Sequence, residues 1–365
     1  MSHVTYLEAA VVGLVQGVTE LFPVSSLGHN VLIPALVGGS WASDLNVAAP
    51  ESPYLAFIVG LHVATAIALV IYFWRDWVRI VGGFLTSIRD RQIVTVDQRL
   101  AWMIILATIP VGLVGLVFEH EFRVLFGKPV RAAIFLLING LILYAGERFR
   151  TRRSLAADAE IAAEAAADAE LAAEAAAADG RAAAKAQASS AAAVAAPGAA
   201  VSGAAAPGTA VHSAAMHASG QRAVRQLEAT RAIQADARLV KVGYWEGLII
   251  GSAQILALLA GISRDGVVMV TGMFRGLSRQ DAARFSFLLS TPVIFAAGAL
   301  KVGDLTGPLG DGIGGQVLVG SILSGVGAYL SVRFLMRYFQ ARTLTPFAIY
   351  CFVAGLGSVI YLSAH

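Results

Sequence analysis

Charged side chains are scarce: Asp, Glu, Lys and Arg make up 14% of the 365 residues, where a typical soluble chain carries about 25%. With 57% of the residues hydrophobic, a soluble domain of this length could not hide so much apolar surface in one core. A soluble globular class is thereby excluded. Cysteine is scarcer still. Cys351 stands alone, which excludes an intramolecular disulfide and a thiolate metal cluster. A basic segment is missing from the first residues, and Gln16 and Glu20 interrupt the first apolar stretch, so no cleavable leader is expected. The net charge of +3 is small, and no nucleic-acid partner is expected.

What fills the chain instead is a series of apolar runs near the length of about 20 residues that crosses a bilayer. Continuous spans are expected at 54–74, 100–118, 130–147, 282–302, 315–335 and 345–362. Two longer stretches, 6–38 and 242–278, are broken, the first at Phe22-Pro23-Val24-Ser25-Ser26 and the second at Ala260-Gly261-Ile262-Ser263-Arg264-Asp265-Gly266. Broken backbone at membrane depth survives only where protein or a wet cavity surrounds it. Both stretches therefore read as re-entrant helical hairpins with their tips inside the protein.

The two broken stretches align without a gap: Glu8, Gly13, Gln16, Ser25 and Gly28 fall on Glu246, Gly251, Gln254, Ser263 and Gly266. Each hairpin precedes three spans, and an odd number of crossings inverts the second half. The expected fold is an all-α integral membrane protein with an inverted-topology repeat, each half a re-entrant helical hairpin plus three transmembrane helices. Residues 1–153 form the first membrane repeat and 239–365 the second. Between them, 154–238 is an Ala-rich linker without an apolar stripe, read as a largely disordered cytoplasmic tether whose Ala/Glu part can be helical. Its His212 and His217 are taken as incidental. Lys and Arg concentrate in alternate short loops, which places both termini outside and the linker in the cytoplasm.

The chemistry sits at the breaks. Gln16 and Glu20 share a helix face, and a carboxylate at bilayer depth costs about 2.5–3.5 kcal/mol on insertion scales. Ser25 and Ser26 stand where a new helix opens, and His29 lies one turn on. Helix N-termini offer unpaired N–H groups to a phosphate, although plain N-capping would explain the serines alone. Ser263 and Arg264 open the second helix, and Arg suits bidentate phosphate contacts. A structural pair of Arg264 with Asp265 or Glu20 is the alternative. His62, inside a span, is expected to pack or hydrogen-bond. Together these groups suit hydrolysis of a phosphoanhydride on a long-tailed lipid.

At these residues the chain resembles the undecaprenyl-diphosphate phosphatase (bacitracin-resistance protein) family. Gln16-x-x-x-Glu20, Pro23-Val24-Ser25-Ser26 with Gly28-His29, and Gly261-Ile262-Ser263-Arg264 carry the likeness, with Phe285–Leu289 and Pro346–Tyr350 as further matching segments. It covers nearly everything except the Ala-rich insert. The resemblance implies dephosphorylation of undecaprenyl diphosphate, a polyprenyl diphosphate lipid, to the monophosphate carrier of cell-wall synthesis. It further implies a divalent cation (Mg²⁺ or Ca²⁺), a site opening to the outer face of the bacterial plasma membrane, and bacitracin resistance.

The roles it suggests are Arg264 as diphosphate clamp and Glu20, helped by Gln16, as cation holder. Ser26 would be nucleophile or phosphate anchor and His29 the general acid/base. Gln16, Ser25, Gly261, Ser263 and Asp265 would bind substrate. Leu27, Ala260, Asp265 and Val268 depart from the family pattern of Thr, Pro, Ser and Thr. Two rivals stand beside this reading: a lipid-phosphate transporter of the same fold, and a phosphatase for another prenyl diphosphate. Membrane lipid surrounds the chain in every case, and the oligomeric state, a homo-oligomer included, stays open.

Overall fold

The computed structural model describes residues 4–46, 53–126, 128–152, 233–307 and 312–364. All regular structure among them is helical. The chain divides into one unit of Met1–Arg150 with Thr230–His365 and a second of Thr151–Ala229. Nearly all of the second, including the Ala/Glu repeats, His212 and His217, lies outside the described residues.

Helix α1 (Tyr6–Thr19) opens on a capping box in which the Thr5 hydroxyl and the Glu8 carboxylate satisfy each other's backbone. The backbone turns at residues 20–25, and α2 (Ser26–Val37) follows. Short α3 (Gly39–Asp44) leads to α4 (Pro53–Tyr72) and α5 (Trp74–Asp90). Then come α6 (Val96–Phe126) and α7 (Pro129–Arg152). The second half starts with α8 (residues 233–241) and α9 (Tyr244–Ser252), which tightens into a 3₁₀ segment, Ala253–Leu258. After the second break come α10 (Arg264–Phe274), α11 (Arg279–Thr306), α12 (Gly314–Ala341) and α13 (Thr345–Ala364).

Among the described residues five helices are long and apolar enough to cross a membrane, and α4 with α5 makes a sixth candidate bent by 87°. This multi-pass helical architecture agrees with the six continuous spans expected. The stretch after the first expected span, one of the short arginine-bearing loops by sequence, is instead a helix over Trp74–Asp90. Trp74, Val78, Val81, Leu85 and Ile88 line its exposed side, the spacing of an amphipathic helix lying in an interface.

Small residues let helices approach closely. Gly13 and Gly17 of α1 lie against the backbone of Gly320 and Ser324 in α12, so that a β-carbon on either glycine would collide. This is a small-xxx-small pairing on both partners. Gly251 of α9 meets Ala107 of α6 in the same way.

The charged ends of the helices are tied by carboxylates. Arg79 reaches Asp76 and Asp236 at 2.7 Å and Asp97 at 3.0 Å, while Arg284 reaches Asp236 at 2.8 Å and Asp76 at 3.1 Å. Asp236 is fully buried, and Arg238 pairs with Asp281 through two bonds of 2.8 Å. Composition places 233–238 in the linker. In the structure they belong to α8, where Asp236 meets Arg79 and the buried Arg284.

Candidate active site

The two breaks meet. Pro23 lies in the turn after α1, Ser25 takes a left-handed φ of 71°, and α2 starts beyond it. A non-glycine residue in that region is strained, and the surroundings hold it there: the Ser25 hydroxyl accepts from Gly28 N and, across the molecule, from Gly261 N, both at 3.2 Å. Gly261 has φ 112° and lies against the backbone of Ala132 and Leu136 in α7, a position that admits no β-carbon. At the second break Ser263 caps α10 by accepting from Gly266 N at 3.1 Å. Buried Asn139 of α7 laces the breaks together, donating to the Pro23 carbonyl and accepting from Ser263 N, each at 3.0 Å.

This scaffold brings the charged groups of both breaks to one point. Glu20 is buried, and its Oε1 accepts from Arg264 Nη2 at 2.7 Å. Oε2 accepts from Gln16 Nε2 at 2.8 Å and from the Ser26 hydroxyl. Gln16 is held by Asn30, whose Nδ2 donates to Gln16 Oε1 at 2.6 Å. His62 of α4 brings Nε2 to 3.5 Å from Glu20 Oε2, while its Nδ1 faces the Ile58 carbonyl at 2.9 Å. Nε of Arg264 is buried without a protein partner, so the guanidinium keeps donor capacity for an anion.

His29 stands one turn from the serines, as its spacing requires, yet it is not bonded to either hydroxyl. Its Nδ1 lies 2.7 Å from the Ser25 carbonyl, which can only accept. That places the ring proton on Nδ1 and leaves Nε2 to accept from the Tyr350 hydroxyl at 2.7 Å. A narrow apolar crevice, lined by Val11, Val15, Ile33 and Pro34, also borders His29 and Asn30.

The structure gathers Gln16, Glu20, Ser26 and Arg264 into one hydrogen-bonded cluster, with Ser25, Gly261 and Ser263 as its frame and His29 beside it. Asp265 is not part of that cluster. It is fully buried, and its Oδ1 accepts from Ser286 at 2.6 Å and Ser290 at 2.7 Å in α11. Arg264 pairs with Glu20, so of the two structural partners expected for it, Asp265 is not the one. Sequence reasoning passed over Asn139 and Tyr350 and gave His62 only a packing or hydrogen-bonding part. A polar residue inside an apolar span was the available signal for Asn139 and His62.

Among the described residues no three His, Cys, Asp or Glu side chains assemble as a metal-binding group. Glu20 and the Ser26 hydroxyl nevertheless offer hard oxygen donors side by side. That set fits Mg²⁺ or Ca²⁺ bound through one carboxylate together with substrate phosphates, rather than in an all-protein cage.

The chain is similar along nearly its whole length to proteins of known name. It is 54% identical over 362 residues to an undecaprenyl-diphosphatase of Mycolicibacterium paratuberculosis, covering 99% of each chain. It is 51% identical over 366 residues to undecaprenyl-diphosphatase 1 of Frankia casuarinae, again 99% of each. Against undecaprenyl-diphosphatase 2 of Burkholderia orbicola the identity is 33% over 356 residues, 96% of this chain and 95% of the other. The model of the bacitracin resistance protein BacA family matches residues 9–182 and 194–357. The chain belongs to the BacA family of bacitracin resistance proteins.

Proposed function

We propose that this protein hydrolyses undecaprenyl diphosphate to undecaprenyl phosphate and inorganic phosphate, recycling the lipid carrier of cell-wall synthesis and conferring bacitracin resistance. The observation that carries the reading is the meeting of Glu20 and Ser26 from one break with Arg264 from the other. The relatives are named as diphosphatases, which favours hydrolysis over transport.

Residue roles follow from the bonds each group makes. Arg264, already turned toward Glu20, moves its free donors onto the diphosphate as the lipid arrives from the bilayer. Ser26 Oγ attacks the terminal phosphorus while its proton passes to Glu20 Oε2, the acceptor it already bonds. The phosphorus–oxygen bond to the lipid-side phosphate breaks and undecaprenyl phosphate departs. Water then attacks the phosphoserine, releasing inorganic phosphate and returning the hydroxyl to Ser26. His29 Nε2, released from Tyr350, serves as proton donor or acceptor for the phosphate oxygens. A divalent cation held by Glu20 with the substrate's own oxygens would neutralise phosphate charge.

The architecture proposed for this chemistry is an inverted repeat of two re-entrant hairpins, each with three crossing helices. Reciprocal packing supports it: Gly140 of α7 lies against Ala348 and Phe352 of α13, and Gly355 of α13 against Ala133 and Leu137 of α7. A fixed offset relates each residue to its counterpart. With the arginine-rich loops in the cytoplasm, both termini and the mouth of the site face outward.

Purified protein in detergent tests the reading. It is expected to release phosphate from undecaprenyl diphosphate only with Mg²⁺ or Ca²⁺, and a rapid quench with substrate labelled at the terminal phosphate should leave label on Ser26. Well-folded protein that releases no phosphate under any cation would overturn the function. Release without label on Ser26 would replace the serine by water as nucleophile.

A further inference from the structure

Several arginines near the helix ends are paired: Arg79, Arg238, Arg275, Arg279 and Arg284 each meet a carboxylate. Arg333, Arg337 and Arg342 are not. All three are exposed, and no described carboxylate pairs with them. They line one cleft of about 470 Å³ on α12, together with Leu330, Phe334 and Tyr338.

Helical spacing sorts these side chains into two adjacent rows. Leu330, Phe334, Tyr338 and Arg342 follow each other at intervals of four, and Arg333 with Arg337 forms the neighbouring row. Basic and apolar side chains therefore run side by side along the helix axis, with Leu330 at one end and Arg342 at the other. Leu330 is 58% and Phe334 50% exposed, so their free faces lie where a hydrocarbon chain would. The positive-inside tendency accounts for arginines at this end of a spanning helix. It does not by itself account for all three lining one open groove with Leu330, Phe334 and Tyr338. Guanidinium groups beside exposed apolar side chains suit an amphiphile carrying a negative head.

We infer that this cleft is a binding site for an anionic phospholipid of the bilayer, its phosphate held by Arg333, Arg337 and Arg342 and its acyl chain laid along Leu330 and Phe334. Guanidinium groups match phosphate oxygens in forked pairs, and basic pockets between membrane helices are known to take anionic lipid heads. Phe334 stacks on Phe22 of the first break at 5.9 Å, but Glu20, Ser26 and Arg264 do not line the cleft, so the lipid is a resident of the protein rather than its substrate.

Native mass spectrometry of the full chain, released from detergent with added phosphatidylglycerol, phosphatidylcholine or inorganic phosphate, tests this. The unaltered protein should keep phosphatidylglycerol in preference to phosphatidylcholine. Arg333→Gln with Arg337→Gln should weaken that binding about thirtyfold. Leu330→Asn should weaken it as well, with every arginine in place. Diphosphatase activity on undecaprenyl diphosphate serves as the folding control, and both variants should retain it.

Arg89→Gln with Arg91→Gln removes the same charge elsewhere and should change nothing. An equal loss in that control, or equal retention of phosphatidylcholine, would reduce the effect to general surface charge and overturn the site. Inorganic phosphate displacing the lipid completely, with Leu330→Asn silent, would make it a free-anion site and overturn the lipid assignment.

Discussion

Arg264 donates to Glu20 across 2.7 Å, joining residues 244 positions apart in the chain. The pair couples the break before α2 with the break before α10, and it leaves Nε of Arg264 unused. Replacing Arg264 by Lys keeps the charge but removes the planar fork. Phosphate release by Arg264→Lys should fall about 10²-fold in kcat/KM, the scale of losing one preorganised donor to a developing phosphate charge. Activity within about twofold of the unaltered protein would show that any cation suffices there.

Tyr350 occupies Nε2 of His29. In Tyr350→Phe that nitrogen loses its partner while the ring stack, at 5.7 Å between centroids, remains. Turnover should fall by less than about tenfold, whereas His29→Ala should lose about 10²-fold or more. Equal losses in the two variants would mean that Tyr350, not only His29, touches the reacting phosphate.

Asn139 bonds both breaks from inside the protein. Asn139→Ala would leave the Ser263 N–H buried without a partner, at a cost of about 1–3 kcal/mol, and the Pro23 carbonyl with only the Cys351 thiol at 3.8 Å. Thermal melting in detergent should shift downward, and activity should fall with it because the two breaks lose their registry. An unchanged Tm would show that the amide is dispensable.

Asp236 stands between Arg79 and Arg284. Removing its carboxylate leaves the buried Arg284 and the partly exposed Arg79 with less counter-charge, a change of about 3–5 kcal/mol in comparable buried networks. Asp236→Ala should therefore destabilise the protein strongly, while Arg238→Ala, at a half-exposed pair with Asp281, should cost far less. Similar melting of the two variants would contradict the placement of residue 236 inside the membrane unit.

Much of this was legible beforehand. Pro23 with Ser25-Ser26 and Gly261 with Ser263-Arg264 interrupt apolar runs in a way that only a protected break tolerates, and the six continuous spans stand out by length. Three things were not legible. The α5 helix mixes Trp74, Val78, Val81, Leu85 and Ile88 with arginines, so its apolar side is diluted in any running average. Asp236 sits in a stretch whose composition matches the linker, and only its buried partners in α5 and α11 reveal its place. The pairs His29–Tyr350, Glu20–His62 and Asn139–Pro23 join distant segments, and spacing along the chain carries no trace of them. Asp265 misled for a related reason: adjacency to Arg264 suggested a shared site, but successive helix positions point in different directions, and Asp265 faces Ser286 and Ser290.

The measurement that bears most directly on the meeting of the two breaks is a double-mutant cycle in phosphate release from undecaprenyl diphosphate. It compares the unaltered protein, Glu20→Gln, Arg264→Ala and the double variant, each verified as folded by melting in detergent. If the two residues act as one site, each single change costs about 10²–10³-fold, and the double variant is little worse than the poorer single. If the losses instead multiply to within about twofold, as they do for independent positions, Glu20 and Arg264 do not share a substrate and the two breaks do not form one active site.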